Sequence, residues 1–213
     1  MATARSKTRA TYHHGDLRAA LVEAGLALAR EGGPQAVVLR EATRRAGVAP
    51  NAAYRHFAGH QALFEAVRAA ALGALAQAIE REMKQAEALA DPAERARAML
   101  AAVGRGYLGF AQAETGWFLT AFASGAFDVE VLPDPARTAD KGLNPFELLG
   151  YALDAMVQAG VLPAERRPGA EFLAWSSVHG MALLIIEGPL RRAPLAERQA
   201  LGVRLLRMVE NGL

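Results

Sequence analysis

Residues 39–57, LREATRRAGVAPNAAYRHF, decide the fold, because they read as two short helices folded about a tight turn. Leu39, Ala42 and Ala46 recur at the three- and four-residue spacing of an inward face, and Arg40, Glu41, Thr43, Arg44 and Arg45 make the rest polar. Gly47 ends the first helix, since glycine adopts the left-handed conformation of a helix stop at least cost. Pro50, with its fixed φ, suits the first position of the second helix, which is expected over residues 50–56. Asn51, Tyr54, Arg55 and His56 are groups that meet phosphates and base edges. The unit is a helix-turn-helix, a shape that presents its second helix to a DNA groove.

Outward from this stretch, residues 16–30 form a supporting helix with Leu17, Leu21, Ala24 and Leu28 on one face, stopped by Gly32-Gly33-Pro34. Residues 1–11 lack hydrophobic periodicity, and their Arg5, Lys7 and Arg9 suit either a phosphate-tracking arm or a solubilising tail. After Gly59, the series Leu63, Phe64, Val67, Ala71, Leu75 and Ile79 predicts one long helix to about residue 87, a rod joining head to body. Further helices are expected from Asp91-Pro92, from Gly116-Trp117, from Pro145 to Gly160, over residues 169–188, and over residues 194–210. The expected architecture is all-α with about nine helices: a three-helix DNA-binding head over residues 1–62 and a helical bundle over residues 63–213.

Composition bounds the function. The 213 residues carry a net charge of only +2, yet residues 1–60 hold nine Lys or Arg against four acids, leaving the remainder net negative. A basic head on a differently employed body fits nucleic-acid binding. With no cysteine, neither a disulfide framework nor a thiolate metal site is possible, and a reducing cytoplasm fits. His13, His14 and Asp16 lack a further preorganised ligand, so no metal site and no cofactor are expected. The N-terminus has no apolar segment of the secretory kind. The most apolar run, residues 172–186, falls short of the roughly 20 residues that span a bilayer and reads as a buried helix. No nucleophile elbow, Walker loop or HExxH occurs, and Ser176 near His179 is a local spacing that chance also produces, so catalysis is not expected.

The segment AGVAPNAAYRHF, followed by His60, Leu63 and Phe64, resembles the DNA-binding signature of the TetR family of bacterial transcriptional repressors. The likeness extends upstream to Tyr12-His13-His14-Gly15-Asp16-Leu17-Arg18 and downstream to Trp175 and His179-Gly180. It implies a homodimer on a palindromic double-stranded operator, released by a small-molecule inducer bound in the body. It places Arg40 where it can read a guanine edge, with Arg55 and Asn51 suited to guanine and adenine, and Tyr54 and His56 holding phosphates. Thr43, Arg44, Pro50, Ala52 and His60 complete the expected DNA surface. Two positions depart from the family pattern: Ala49 stands where Ser or Thr often caps the reading helix, and His60 where Lys usually grips phosphate.

For the body, the resemblance turns an aromatic-rich sequence into an expected pocket for a largely hydrophobic inducer, lined by Tyr107, Phe110, Trp117, Phe118, Phe122, Met156, Trp175 and His179. Read singly, each aromatic is ordinary core, and His179, on one face with Phe172, Trp175, Ala182 and Ile186, is first a satisfied core histidine. The last two helices are more apolar than one side of a monomer core requires, and Leu195, Leu201, Leu205 and Met208 add a second stripe, so pairing of two copies through them is expected. The alternative is a helical small-molecule carrier or enzyme whose head matches a helix-turn-helix in packing alone.

Overall fold

Helix starts and stops follow the sequence punctuation closely. The computed structural model describes residues 14–123 and 134–213, with side chains from residue 17 onward. The arm residues Arg5, Lys7 and Arg9, the His13, His14 and Asp16 side chains, and Phe127 lie outside what is described. Nine α-helices and no strand occur among the described residues. They are α1 His14–Gly32, α2 Leu39–Arg45, α3 Pro50–Ala53, α4 His60–Glu87, α5 Pro92–Ala113, α6 Thr115–Ala121, α7 Pro145–Gln158, α8 Ala170–Ile186 and α9 Leu195–Gly212.

The caps explain these bounds. Gly47 takes φ 69°, and the Val48 and Gly47 amides return to the Thr43 and Arg44 carbonyls at 3.0 and 3.2 Å, the paired bonds of a glycine-terminated helix. Asp91 accepts from the Glu94 amide at 2.7 Å to start α5. Asn144 and Glu147 form a reciprocal capping box that starts α7. Ala49, by contrast, offers α3 no side-chain cap.

Two apolar cores share one rod. Leu21, Leu28, Val37, Ala42, Ala53 and Phe57 pack with Leu63, Phe64 and Val67 from the first turns of α4. Further along α4, Leu75, Ile79 and Met83 enter a second core with Met99, Val103 and Tyr107 of α5 and with Leu148, Leu153 and Met156 of α7. By length and composition the 28-residue α4 passes as a membrane-crossing helix, but 61% of its apolar window is buried inside the protein. It is therefore the shared core element of both units. The buried Glu80 accepts the Asp140 amide at 2.8 Å, which straps the 134–143 connection across α4.

α8 corrects one expectation. Residues 172–186 are not a buried helix: Ala174, Val178, Ala182 and Ile185 face the body, whereas Phe172, Leu173 and Leu184 are exposed by 53%, 61% and 44%. The body offers α8 a core on one side only, so a helix apolar on all sides leaves its other side in water. On α9, Leu195, Val203 and Met208 are likewise exposed.

Candidate nucleic-acid interface and ligand cavity

α3 is one turn long and continues through a turn to His56, whose amide reaches the Ala53 carbonyl at 2.9 Å. Ala53 and Phe57 are buried and anchor this segment, which leaves Pro50, Asn51, Tyr54 and Arg55 facing solvent, with Ala52 and His56 half-buried. Arg40, Arg44 and His60 are exposed alongside. Thr43, expected to touch DNA, is instead buried to 1% exposure and its hydroxyl donates to the Arg40 carbonyl at 2.7 Å. A helical threonine on the inward side meets the preceding turn sooner than any ligand.

The cations of the head divide into two sets. Arg44 is held by Glu41, Nε to Oε2 at 3.0 Å, and Arg45 by Glu31 through two 2.8 Å bonds. These bonds hold the Glu41 and Glu31 carboxyls below their ordinary range. Arg40 and Arg55 make no ion pair among the described residues, so their guanidiniums are available to phosphate or base edges. Glu41 was not foreseen as part of this surface. Together with Val38, Arg40, Arg44, Val48 and Pro50 it lines a shallow depression between α2 and α3.

In the body, a cavity of about 40 Å³ lies between α5, α7, α8 and α9. Tyr107, Phe122 and Trp175 line it, together with Val103, Phe146, Leu149, Val178 and Leu206 among others. Behind this wall runs a polar relay: Trp175 Nε1 donates to Tyr107 Oη at 3.2 Å, and Tyr107 Oη lies 2.7 Å from His179 Nδ1. Tyr107 Oη, with one proton and two lone pairs, accepts from Trp175 and either donates to or accepts from His179 Nδ1 according to the imidazole tautomer. Burial pushes the Tyr107 hydroxyl's pKa up and the His179 imidazole's down, so both are neutral. His179 is only half-buried, and its ring centroid sits 4.9 Å from that of Phe122 and 5.7 Å from that of Phe118.

Five residues expected at the pocket do not line it: His179 ends the relay, and Phe118, Met156, Trp117 and Phe110 stand elsewhere. Phe118 is fully buried behind the wall against Tyr107 and His179. Met156 is core between α7 and its neighbours. Trp117, with Phe110 beside it at 6.5 Å, belongs to the seam between head and body. Its Nε1 donates to the Leu26 carbonyl of α1 at 2.7 Å, and the Arg30 guanidinium lies 4.9 Å over its ring. Arg30 Nε also donates to Glu114 at 2.7 Å. A Cβ on Gly116 would meet the Ala29 carbonyl oxygen at 2.1 Å, so α6 lies flush against the end of α1 only because residue 116 has no side chain. The one sequence hint of this seam was a glycine beside a tryptophan at a helix start, which names no partner.

An exposed two-helix reading head joined by a core rod to a helical body with an apolar cavity defines a class, the helix-turn-helix regulators with a separate sensing domain. Residues 21–67 match the family described as bacterial regulatory proteins, tetR family, and residues 100–209 that described as tetracyclin repressor-like, C-terminal domain. The chain belongs to the TetR family and is a DNA-binding transcriptional regulator. No curated protein matches it in sequence.

Among solved structures, a Rhodococcus sp. RHA1 protein of unknown function is 28% identical with a TM-score of 0.68, covering 92% of this chain and 96% of its own. FadR from Bacillus subtilis, a transcriptional regulator in complex with stearoyl-CoA, is 14% identical with a TM-score of 0.65, covering 92% and 98%. FadR from Bacillus halodurans, a fatty acid degradation regulator, is 13% identical with a TM-score of 0.58 over the same shares. At these last identities the likeness is one of fold.

Proposed function

We propose that the protein is a cytoplasmic repressor, without catalytic activity, that binds a palindromic operator as a homodimer and releases it when a small, largely hydrophobic molecule fills the body. The observation that carries this reading is the position of α6. On one side its Phe118, and Phe122 just after it, pack against the Tyr107–His179 relay behind the cavity. On the other, Gly116 and Trp117 lie on α1 of the head. A seven-residue helix with no slack between the two cannot accommodate a moved cavity wall without moving the head. Inducer and operator then oppose each other by one reciprocal factor.

The exposed apolar stripes on α8 and α9, Leu173 and Leu184 with Val203 and Met208, support pairing through these helices. Two heads are needed because one short α3 contacts few base pairs, and a two-fold dimer doubles them at a spacing of one DNA turn. On the operator, Arg40, Arg55 and Asn51 read base edges, whereas Arg44, Tyr54, His56 and His60 hold phosphates, with Pro50 and Ala52 in van der Waals contact.

The test is fluorescence anisotropy with DNA flanking the gene, across a salt series. The expected result is a dimer whose affinity falls steeply with salt, and an Arg40→Ala variant that loses about 1–3 kcal/mol and discriminates bases less. Equal binding of any DNA by wild type and variant, or a monomer at micromolar concentration, would overturn the reading.

A further inference from the structure

We infer that the cavity between α5, α7, α8 and α9 takes an uncharged, hydrocarbon-rich molecule and turns away carboxylates, acyl thioesters of charged carriers and amines. The inference deepens the proposed function and rests on its reading that the body binds a ligand.

Two observations carry it. First, no described residue of the lining bears a charge, and Tyr107 Oη and Trp175 Nε1 are its only polar side-chain atoms. Second, these two are already engaged, Trp175 Nε1 with Tyr107 Oη and Tyr107 Oη with His179 Nδ1, and both are uncharged, so the wall offers an anion no countercharge. A charge entering such a space loses its hydration with nothing to replace it, whereas a neutral chain loses little.

A second depression in the body gives an anion no refuge. In the groove between α5 and α7, Lys141 is paired with Glu87 at 3.2 Å, and Arg95 Nη1 donates to the Leu89 carbonyl at 2.8 Å. At about 40 Å³ the apolar cavity holds few heavy atoms as it stands. A ligand therefore enlarges it by displacing side chains such as Leu206 and Phe122, and the cost of that displacement falls equally on neutral and charged members of a chain-matched series.

That series is the experiment. Methyl decanoate, decanol, decanoate, decylamine and decanoyl-CoA are titrated into the full-length protein below their critical micelle concentrations, by calorimetry. Trp117→Phe leaves Trp175 as the sole tryptophan, so quenching by ω-brominated decanol reports whether the ligand reaches this wall. The expected result is that the ester and alcohol bind at least roughly tenfold more tightly than the three charged probes, with Trp175 quenched. Charged probes binding as tightly as the neutral ones, no probe binding, or neutral binding without quenching would each overturn the inference. Neutral binding that leaves operator affinity unchanged would leave the inference standing and remove the inducible part of the proposed function.

Discussion

The head and the body use opposite means to make a binding surface. In the head, the residues proposed to meet DNA all come from residues 40–60, and the core beneath them holds Arg40, Asn51, Tyr54 and Arg55 outward. In the body, the cavity wall is gathered from five separate stretches, near residues 100–107, 122, 145–149, 174–178 and 206–209, and its chemistry is that of the core itself. A polar site can be local because a few side chains on one turn suffice. An apolar cavity is a property of how helices fail to fill space between them, and no single stretch contains it.

Four substitutions or titrations test how separate the two regions are. The largest effect is expected from Phe118→Ala. This fully buried ring supports the relay from α6, and its loss should cost about 3–5 kcal/mol in denaturant unfolding. If the head were independent, the hydrogen exchange of α2 and α3 would stay at wild-type rates; we expect it to rise.

Gly116→Ala should cost about 1–3 kcal/mol, because the added carbon meets backbone oxygen of Ala29 and Arg30, which cannot rotate away. Faster exchange at the end of α1 is the companion signal, and an unchanged melt would mean that α6 docks less tightly than its geometry implies. Ala49→Ser should work in the opposite direction and only in the head. A hydroxyl at the uncapped start of α3 should add about 0.5–2 kcal/mol, read as a higher denaturation midpoint.

The smallest effect is in pH. Burial lowers the His179 pKa below the ordinary 6.5, so the folded state favours neutral imidazole. Its contribution to stability is therefore complete above pH 6.5, declines as pH falls below that value, and levels off beneath the folded-state pKa. His179→Gln should flatten this part of the melting profile between neutral and mildly acidic pH. A profile identical to wild type would place the acid sensitivity in another histidine.

How far each region could be read from sequence follows from the same contrast. The reading pair was legible because Gly47, Pro50 and the apolar spacing are punctuation written on adjacent residues. Thr43 was misplaced because spacing identifies a helix face only to within a residue, and this one lies just inside its edge. Tyr107, Phe122 and Trp175 were expected at the cavity and line it, whereas Trp117, an equally large aromatic ten residues from Tyr107, turned out to serve the seam. Composition could not separate them, since an indole ring suits a pocket and an interface equally well.

The sequence by itself determined the helices, their caps, the exposed basic head and the absence of any thiol chemistry, because each depends on neighbours along the chain. Only the tertiary structure decided which aromatics share a cavity, that Gly116 lets α6 rest on α1, and that Glu31 of α1 engages Arg45 of α2. Those outcomes depend on distances between residues far apart in sequence, which are fixed only when all the helices pack at once.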